Sequence, residues 1–277
     1  MIPQMILSIF ISIALFFAAF HLELETVGIA SNLSALGIVC LGTLAATLLA
    51  YPWRRLLWTA MLLKKAFSSG SEMDWTRNTI VTLARTYQKM GIRALEQMGD
   101  RLPEGYLKTA VGYISYRYSR EEVEQILKKE AQILYSQYET SDKMVCSMAR
   151  LAPALGLTGT IVSLIRTFGH IADAHNLVGY MAIALLSTFY GVVLANLCLL
   201  PLSNRLREFM DQEAARLDLI QEGILDLYDM ENPVAIKYKL ESLSSSSQGV
   251  LQSVPIFSRP EMVVLRAPEI QVAGASS

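Results

Sequence analysis

Charge is scarce in this chain. Only 18% of its 277 residues are Asp, Glu, Lys or Arg, where a soluble domain carries about a quarter. The deficit is concentrated in four apolar runs, at about residues 5–20, 33–51, 151–171 and 177–200, and no Asp or Glu falls within any of them. Cysteine is equally sparse. Cys40, Cys146 and Cys198 stand far apart with no C-x-x-C spacing, which excludes a disulfide framework and a zinc site. No Ser-His-Asp set, metal cluster or Gly-rich phosphate loop is present, so the chain is not read as an enzyme and no cofactor is expected. A net charge of -1 without long runs of one sign gives no reason to expect nucleic acid as a partner.

What is present is enough apolar sequence to cross a bilayer, whose core needs about 20 such residues per helix. The four runs are expected to be four transmembrane helices of an all-α membrane protein. The first is short, but it lacks the basic flank and small-x-small site of a removable leader. Sixteen of the 24 Lys and Arg residues lie between Trp53 and Arg150, and seven follow Pro201. The two remaining connections carry none, so the positive-inside rule puts both termini and the middle segment in the cytoplasm. Five regions result: a first membrane hairpin (1–52), a helical cytoplasmic domain (53–150), a second membrane hairpin (151–201), a helical cytoplasmic extension (202–243) and a flexible Ser-rich tail (244–277).

Within the cytoplasmic domain, Ile80, Leu83, Ala84, Tyr87, Gly91, Ala94, Leu95 and Met98 recur at helical spacing. Ser119 and Glu122 form a capping box. The helix it opens carries Val123, Ile126, Leu127, Leu134 and Met148 on its apolar face, and no turn signal interrupts it before Pro153. It is therefore predicted to run straight into the third span, with a bend at that proline. Beyond Pro201, the stripe Leu206, Phe209, Ala214, Leu217, Ile220, Ile224 and Leu227 predicts that the fourth span also continues into the cytoplasm.

The second hairpin offers small and hydroxylated residues rather than charges. Gly156, Thr160, Ser163 and Thr167 share one face of the third span, and Ala184, Thr188, Gly191 and Ala195 share one face of the fourth. Such stripes suit close helix packing or the lining of a narrow hydrated path; periodicity alone favours packing. Thr158 lies off this face and is expected to bond back to its own helix. Arg166 is the one charge in a span, placed to snorkel to the outer headgroups or to meet a partner's acid. His170 and His175 are read as incidental. With no carboxylate of its own in the spans, a chain of this kind conducts protons only if a partner supplies one.

The run Leu151-Ala-Pro-Ala-Leu-Gly-Leu-Thr-Gly-Thr-Ile-Val-Ser-Leu164 resembles the third-span signature of the MotA/TolQ/ExbB channel family. Met181-Ala-Ile-Ala-Leu-Leu-Ser-Thr-Phe-Tyr-Gly191, continued by Ala195-Asn-Leu-Cys-Leu-Leu-Pro201, resembles its fourth span. The expected count of four spans, the run Leu36–Ala46, Gln221-Glu-Gly-Ile224 and Asn232-Pro233 are similar to MotA-like members. The resemblance implies a homopentamer in the bacterial inner membrane around two copies of a single-span MotB-like protein, whose aspartate carries the ion. It implies that Thr188 faces that aspartate with Thr160 opposite, and that Pro153 and Pro201 couple ion passage to the cytoplasmic domain. It also implies contact with a FliG-like rotor protein of the flagellar switch. There the family's glutamate corresponds to Glu96 and its basic position to Gln88, with Lys89 and Arg93 nearby as substitutes. The transported ion is expected to be H+, with Na+ as the alternative through Thr158, Thr160 and Thr188. A TolQ/ExbB-type envelope motor and a non-conducting helical membrane scaffold are the alternative readings.

Overall fold

A computed structural model describes residues 29–68, 72–116, 118–169 and 174–249, all of them in helices or short connections. The first expected span (5–20) and residues 250–277 lie outside the described residues, as does the side chain of His170 and that of His175. Three of the described helices are long and apolar enough to cross a membrane.

Helix α1 (Ile29–Ala50) is apolar on all sides and ends where Tyr51-Pro52 breaks the chain, because a proline disfavours helical geometry in the residue before it. Helix α2 (Trp53–Ser68) buries only Thr59, Leu62 and Ala66. Helix α3 (Glu72–Met90) starts with Glu72 and Asp74 and ends with Lys89, charges that complement the helix dipole at each end. Gly91 then turns the chain with φ 73° and ψ -171°, a backbone region that glycine occupies without a Cβ penalty. Two short helices follow, α4 (Ile92–Asp100) and α5 (Tyr106–Ser115).

The capping box forms as its sequence predicts. Glu122 accepts the backbone N–H of Ser119 at 2.9 Å, and the Ser119 hydroxyl accepts that of Glu122 at 3.3 Å. From there α6 (Arg120–Gly169) runs for 50 residues without interruption, with Pro153 inside it. At 1.5 Å per residue it is about 75 Å long, far more than a bilayer requires. Its antiparallel neighbour is α7 (Ala174–Val193), which passes through a π-helical stretch (Leu194–Leu199) into α8 (Leu200–Tyr228). Asn232 caps α9 (Pro233–Gly249) by accepting the N–H of Val234 at 2.9 Å. The Ser-rich segment assigned to the tail thus begins as helix, and α9 continues through Gly249.

In the membrane half, α1 packs against both α6 and α7. The half beyond the apolar helices has its own core, in which Ile80, Leu83, Leu95, Val123, Leu127, Ile220, Ile224 and Leu240 meet. The apolar stripe expected beyond Pro201 supplies part of it through Leu217, Ile220, Ile224 and Leu227, while Leu206 and Phe209 are buried in a separate cluster and Ala214 is half-buried. Gly223 lets α3 approach α8, since a Cβ there would lie 2.7 Å from Ile80. A third cluster, of Leu62, Ala66, Val145, Leu206, Phe209 and Met210, joins α2 to the stalk formed by α6 and α8.

Candidate ion pathway and coupling joint

The seam between α6 and α7 is built on glycine. A Cβ on Gly156 would sit 2.6 Å from the carbonyl oxygen of Ser187, and one on Gly191 would sit 2.7 Å from that of Ala152. A Cβ on Gly159 would sit 2.8 Å from the side chain of Ser187. These approaches bring two backbones together as small residues do between membrane helices. Gly156, Gly191, Ala184 and Ser163 are all buried along this seam. Thr167 donates to the Ser163 carbonyl at 2.9 Å, and Thr158, exposed, bonds back to Ala154 at 3.0 Å.

Thr160 and Thr188 differ from the others on the two stripes. Both are half-buried, and their hydroxyl oxygens meet across the seam at 2.5 Å. The Thr160 hydroxyl also reaches the Ala184 carbonyl at 3.0 Å and the Gly156 carbonyl at 3.3 Å. Each hydroxyl has one proton to give and two lone pairs to accept with. When Thr160 donates to Ala184, Thr188 donates to Thr160. When Thr160 donates to Thr188, the Thr188 O–H is free to donate a hydrogen bond to a third group. The pair is thus a reversible donor or acceptor, with its spare protons held by backbone carbonyls. Ser187, which periodicity did not single out, is fully buried and donates to Ile183 at 2.7 Å.

The two prolines mark the end of this seam that leads into the stalk. Pro153 is half-buried, and its Cα lies 3.2 Å from where a Cβ on Gly191 would sit. Having no N–H, it leaves the Ala149 carbonyl without a helical donor. Pro201 is exposed in the first turn of α8, immediately after the π-helical stretch. A wider i→i+5 turn relieves the clash of a proline ring with the preceding turn, and such segments concentrate at functional places. Sequence periodicity carries no sign of the π turn, because its only local marker is the proline itself.

Just below, α6 and α8 are locked together by a polar cluster that the sequence reading did not find. Asp142 is buried and accepts from the Ser203 hydroxyl and from Arg207 Nε at 2.9 Å. Cys146 lies 3.0 Å from Ser203 Oγ and accepts from Arg207 at 3.2 Å. The carboxylate raises the Arg207 pKa above its ordinary value through a hydrogen bond and direct charge attraction. A second network follows: buried Glu213 takes two hydrogen bonds from Arg216, at 2.7 and 2.6 Å, and Lys65 lies 3.7 Å away.

At the far end of the molecule, Gln88, Lys89, Arg93 and Glu96 are all exposed on either side of Gly91. Among the described residues, none of these charges forms an ion pair. Arg166 is exposed near the C-terminal end of α6.

With this arrangement in view, the model of the MotA/TolQ/ExbB proton channel family matches residues 79–219, and the chain belongs to that family. Within it the chain is MotA-like. It is 25% identical over 228 residues to chemotaxis protein PomA of Vibrio alginolyticus, a match covering 82% of this chain and 89% of that protein. It is 28% identical over 161 residues to motility protein A of Borreliella burgdorferi, covering 58% of this chain and 62% of the relative. The solved structure of C. jejuni MotAB contains a chain of the same fold, with a TM-score of 0.74 at 18% identity, over 88% of this chain and 96% of that one.

Proposed function

We propose that this chain is the MotA-like subunit of a flagellar stator in the bacterial inner membrane. With a MotB-like single-span partner it forms a channel that couples cation flow to torque on the rotor. The observation that carries this reading is the Thr160–Thr188 hydroxyl pair, set at the edge of a glycine-packed seam in spans that contain no carboxylate.

Such a pair can hydrogen-bond a partner's carboxylate when it is charged and accept from it when it is protonated. It cannot itself carry the charge, since an alcohol does not ionise near neutral pH. The mobile carboxylate therefore comes from the partner. Ionising an acid in a low-dielectric passage is costly, so its exposure alternates between the two sides as protons load and leave. The pentamer steps around the partner dimer as the charge is reset. Gly156, Gly191, Ala184 and Ser163 line this passage from behind, by holding α6 and α7 close enough for the threonines to meet.

Pro153 and Pro201 pass the movement on. Each interrupts the backbone ladder at the inner end of its helix, and below them the Asp142–Ser203–Arg207 cluster makes α6 and α8 one stalk. The exposed charges Lys89, Arg93 and Glu96, with Gln88 beside them, face the FliG-like rotor protein. Both termini are cytoplasmic in this arrangement. H+ is the expected ion: hydroxyls and carbonyls suffice to relay it, and Na+ would use the same oxygens.

The test is to express the chain with its MotB-like neighbour in a motile strain lacking its own stators. Swimming should persist without sodium and stop with a protonophore; sodium dependence would replace H+ by Na+. An assembled complex that never drives rotation, even after Gln88→Arg restores the basic rotor contact, would point to an envelope motor instead.

A further inference from the structure

Helix α2 has a face that the stalk leaves uncovered. Thr59, Leu62 and Ala66 turn inward, while Trp53, Leu57 and Met61, at i, i+4 and i+8, are 50–63% exposed. Beside this apolar stripe stand Arg54 and Arg55. Neither pairs with a carboxylate among the described residues. Their contacts are aromatic: Arg54 lies 6.0 Å from the Trp53 ring and Arg55 lies 5.6 Å from that of Trp58. Pro52, Arg54, Arg55, Trp58 and Gln137 line an open groove of about 420 Å³.

The height of this groove follows from the packing of α1. Ile38 lies level with Gly159 and Gly42 with Leu155, so α1 and α6 run antiparallel, residue for residue. The apolar α1 therefore ends, at Ala50, near the level of Ser147, and Arg150 is exposed close by. Pro52 forms the upper wall of the groove two residues further on. Lower down, Thr59 is hydrogen-bonded to Ser141 at 2.9 Å and Trp58 is stacked on Tyr138 at 5.9 Å. In the orientation of the proposed function, on which this inference rests, helix α2 thus lies along the stalk directly beneath the inner surface of the bilayer, where the polar headgroup layer begins.

We propose that this groove binds the headgroup of an anionic phospholipid. The guanidiniums of Arg54 and Arg55 take the phosphate, for which their planar donor arrays are suited. Trp53, Leu57 and Met61 sink into the boundary of the acyl chains, as the apolar face of an interfacial helix does. A free phosphate ion satisfies the arginines but leaves the apolar stripe in water. The inner leaflet satisfies both features at once. The bound lipid would hold α2, and through Thr59 and Lys65 the stalk, at a fixed depth.

The test uses the full-length chain carrying Trp75→Phe, so that only Trp53 and Trp58 fluoresce. It is reconstituted into vesicles containing dibrominated phosphatidylglycerol or dibrominated phosphatidylcholine, and quenching gives the relative binding of each lipid. Phosphatidylglycerol should be preferred by about fivefold or more, given two basic residues at an anionic surface. Arg54→Gln with Arg55→Gln should bring the ratio close to one, and Lys at both positions should restore most of it. Equal quenching in the unaltered chain overturns the proposal, as does a preference that survives both Gln substitutions. Competition by millimolar inorganic phosphate would reassign the groove to a free anion. Protection of both indoles from either lipid would assign the face to a protein neighbour. The ratio in the unaltered chain decides the matter even if the Gln variant does not assemble.

Discussion

The same two helices, α6 and α7–α8, are held together by opposite means on the two sides of the prolines. In the membrane half, contact comes from the absence of side chains at Gly156, Gly159 and Gly191, with hydroxyls bonded to carbonyls and no charge in the seam. On the other side it comes from bulky side chains and a buried carboxylate, Asp142 of α6, which takes hydrogen bonds from Ser203 and Arg207 of α8. Lipid supplies no hydrophobic drive between helices, so close backbone packing must do the work there. Water supplies that drive to Ile220, Ile224 and their neighbours. In the proposed function the uncharged seam admits a hydroxyl relay, and the stalk, tied across by the Asp142–Arg207 pair, transmits force. Pro153, Pro201 and the π-helical stretch lie where one mode gives way to the other.

The most damaging way to break this contrast is to give the seam a side chain. Gly156→Val would drive a Cβ to within 2.6 Å of a backbone oxygen, and overpacking of this kind costs about 1–3 kcal/mol or more. Complex recovered by size-exclusion chromatography should fall to a small fraction of the unaltered level. The same substitution at Ala214, half-buried in the stalk, should leave recovery nearly intact.

Next in size is the polar lock. Asp142→Ala leaves Ser203 and Arg207 without their acceptor. Arg207 is more than half exposed, so water takes over part of that loss, and a destabilisation of about 1–2 kcal/mol is expected. It should appear as a lower thermal midpoint of the purified complex, while Ser203→Ala costs less.

Asp218 sharpens the comparison from the other direction, as a stalk carboxylate without a compensating partner. Burial, then the nearby charge of Glu222, pushes its pKa up from 3.8 to about 6. The folded protein holds this proton more tightly than the unfolded chain. The group therefore favours folding below about pH 4, and that contribution is lost as pH rises through 6. Asp218→Asn should raise stability at pH 7.5 by up to about 2 kcal/mol, discounted for partial exposure. The gain should vanish below about pH 4 in thermal unfolding followed across pH. The smallest effect belongs to the exposed elbow. Gln88→Arg should leave stability within about 0.5 kcal/mol and raise swimming speed modestly in the complementation assay.

Much of this organisation was legible in the sequence, for identifiable reasons. Long apolar runs announce spans, and Ser119 with Glu122 announces a helix start. The want of any turn signal between Glu122 and Pro153 foretold one continuous helix. The meeting of Thr160 and Thr188 was visible only through the family resemblance; periodicity put them on facing stripes without saying which members touch. Other features left no local trace. Asp142 and Ser203 are 61 residues apart and pair only because two helices align. Ser187 lies one position off the stripe, yet its side chain fills the space that a Cβ on Gly159 would need. The serines after Leu243 resemble a linker in composition, but α9 carries on through Gly249.

The central claim is that the Thr160–Thr188 pair relays the ion. It is tested most directly by proton flux through the assembled complex in vesicles, comparing Thr188→Ser and Thr188→Val. Valine keeps the shape and removes the hydroxyl. The account predicts that Ser retains flux within about threefold, while Val lowers it more than tenfold, the latter corresponding to about 1.4 kcal/mol. Complex assembly should be unchanged in both. Equal flux through Val and Ser, in equally well assembled complexes, would contradict it.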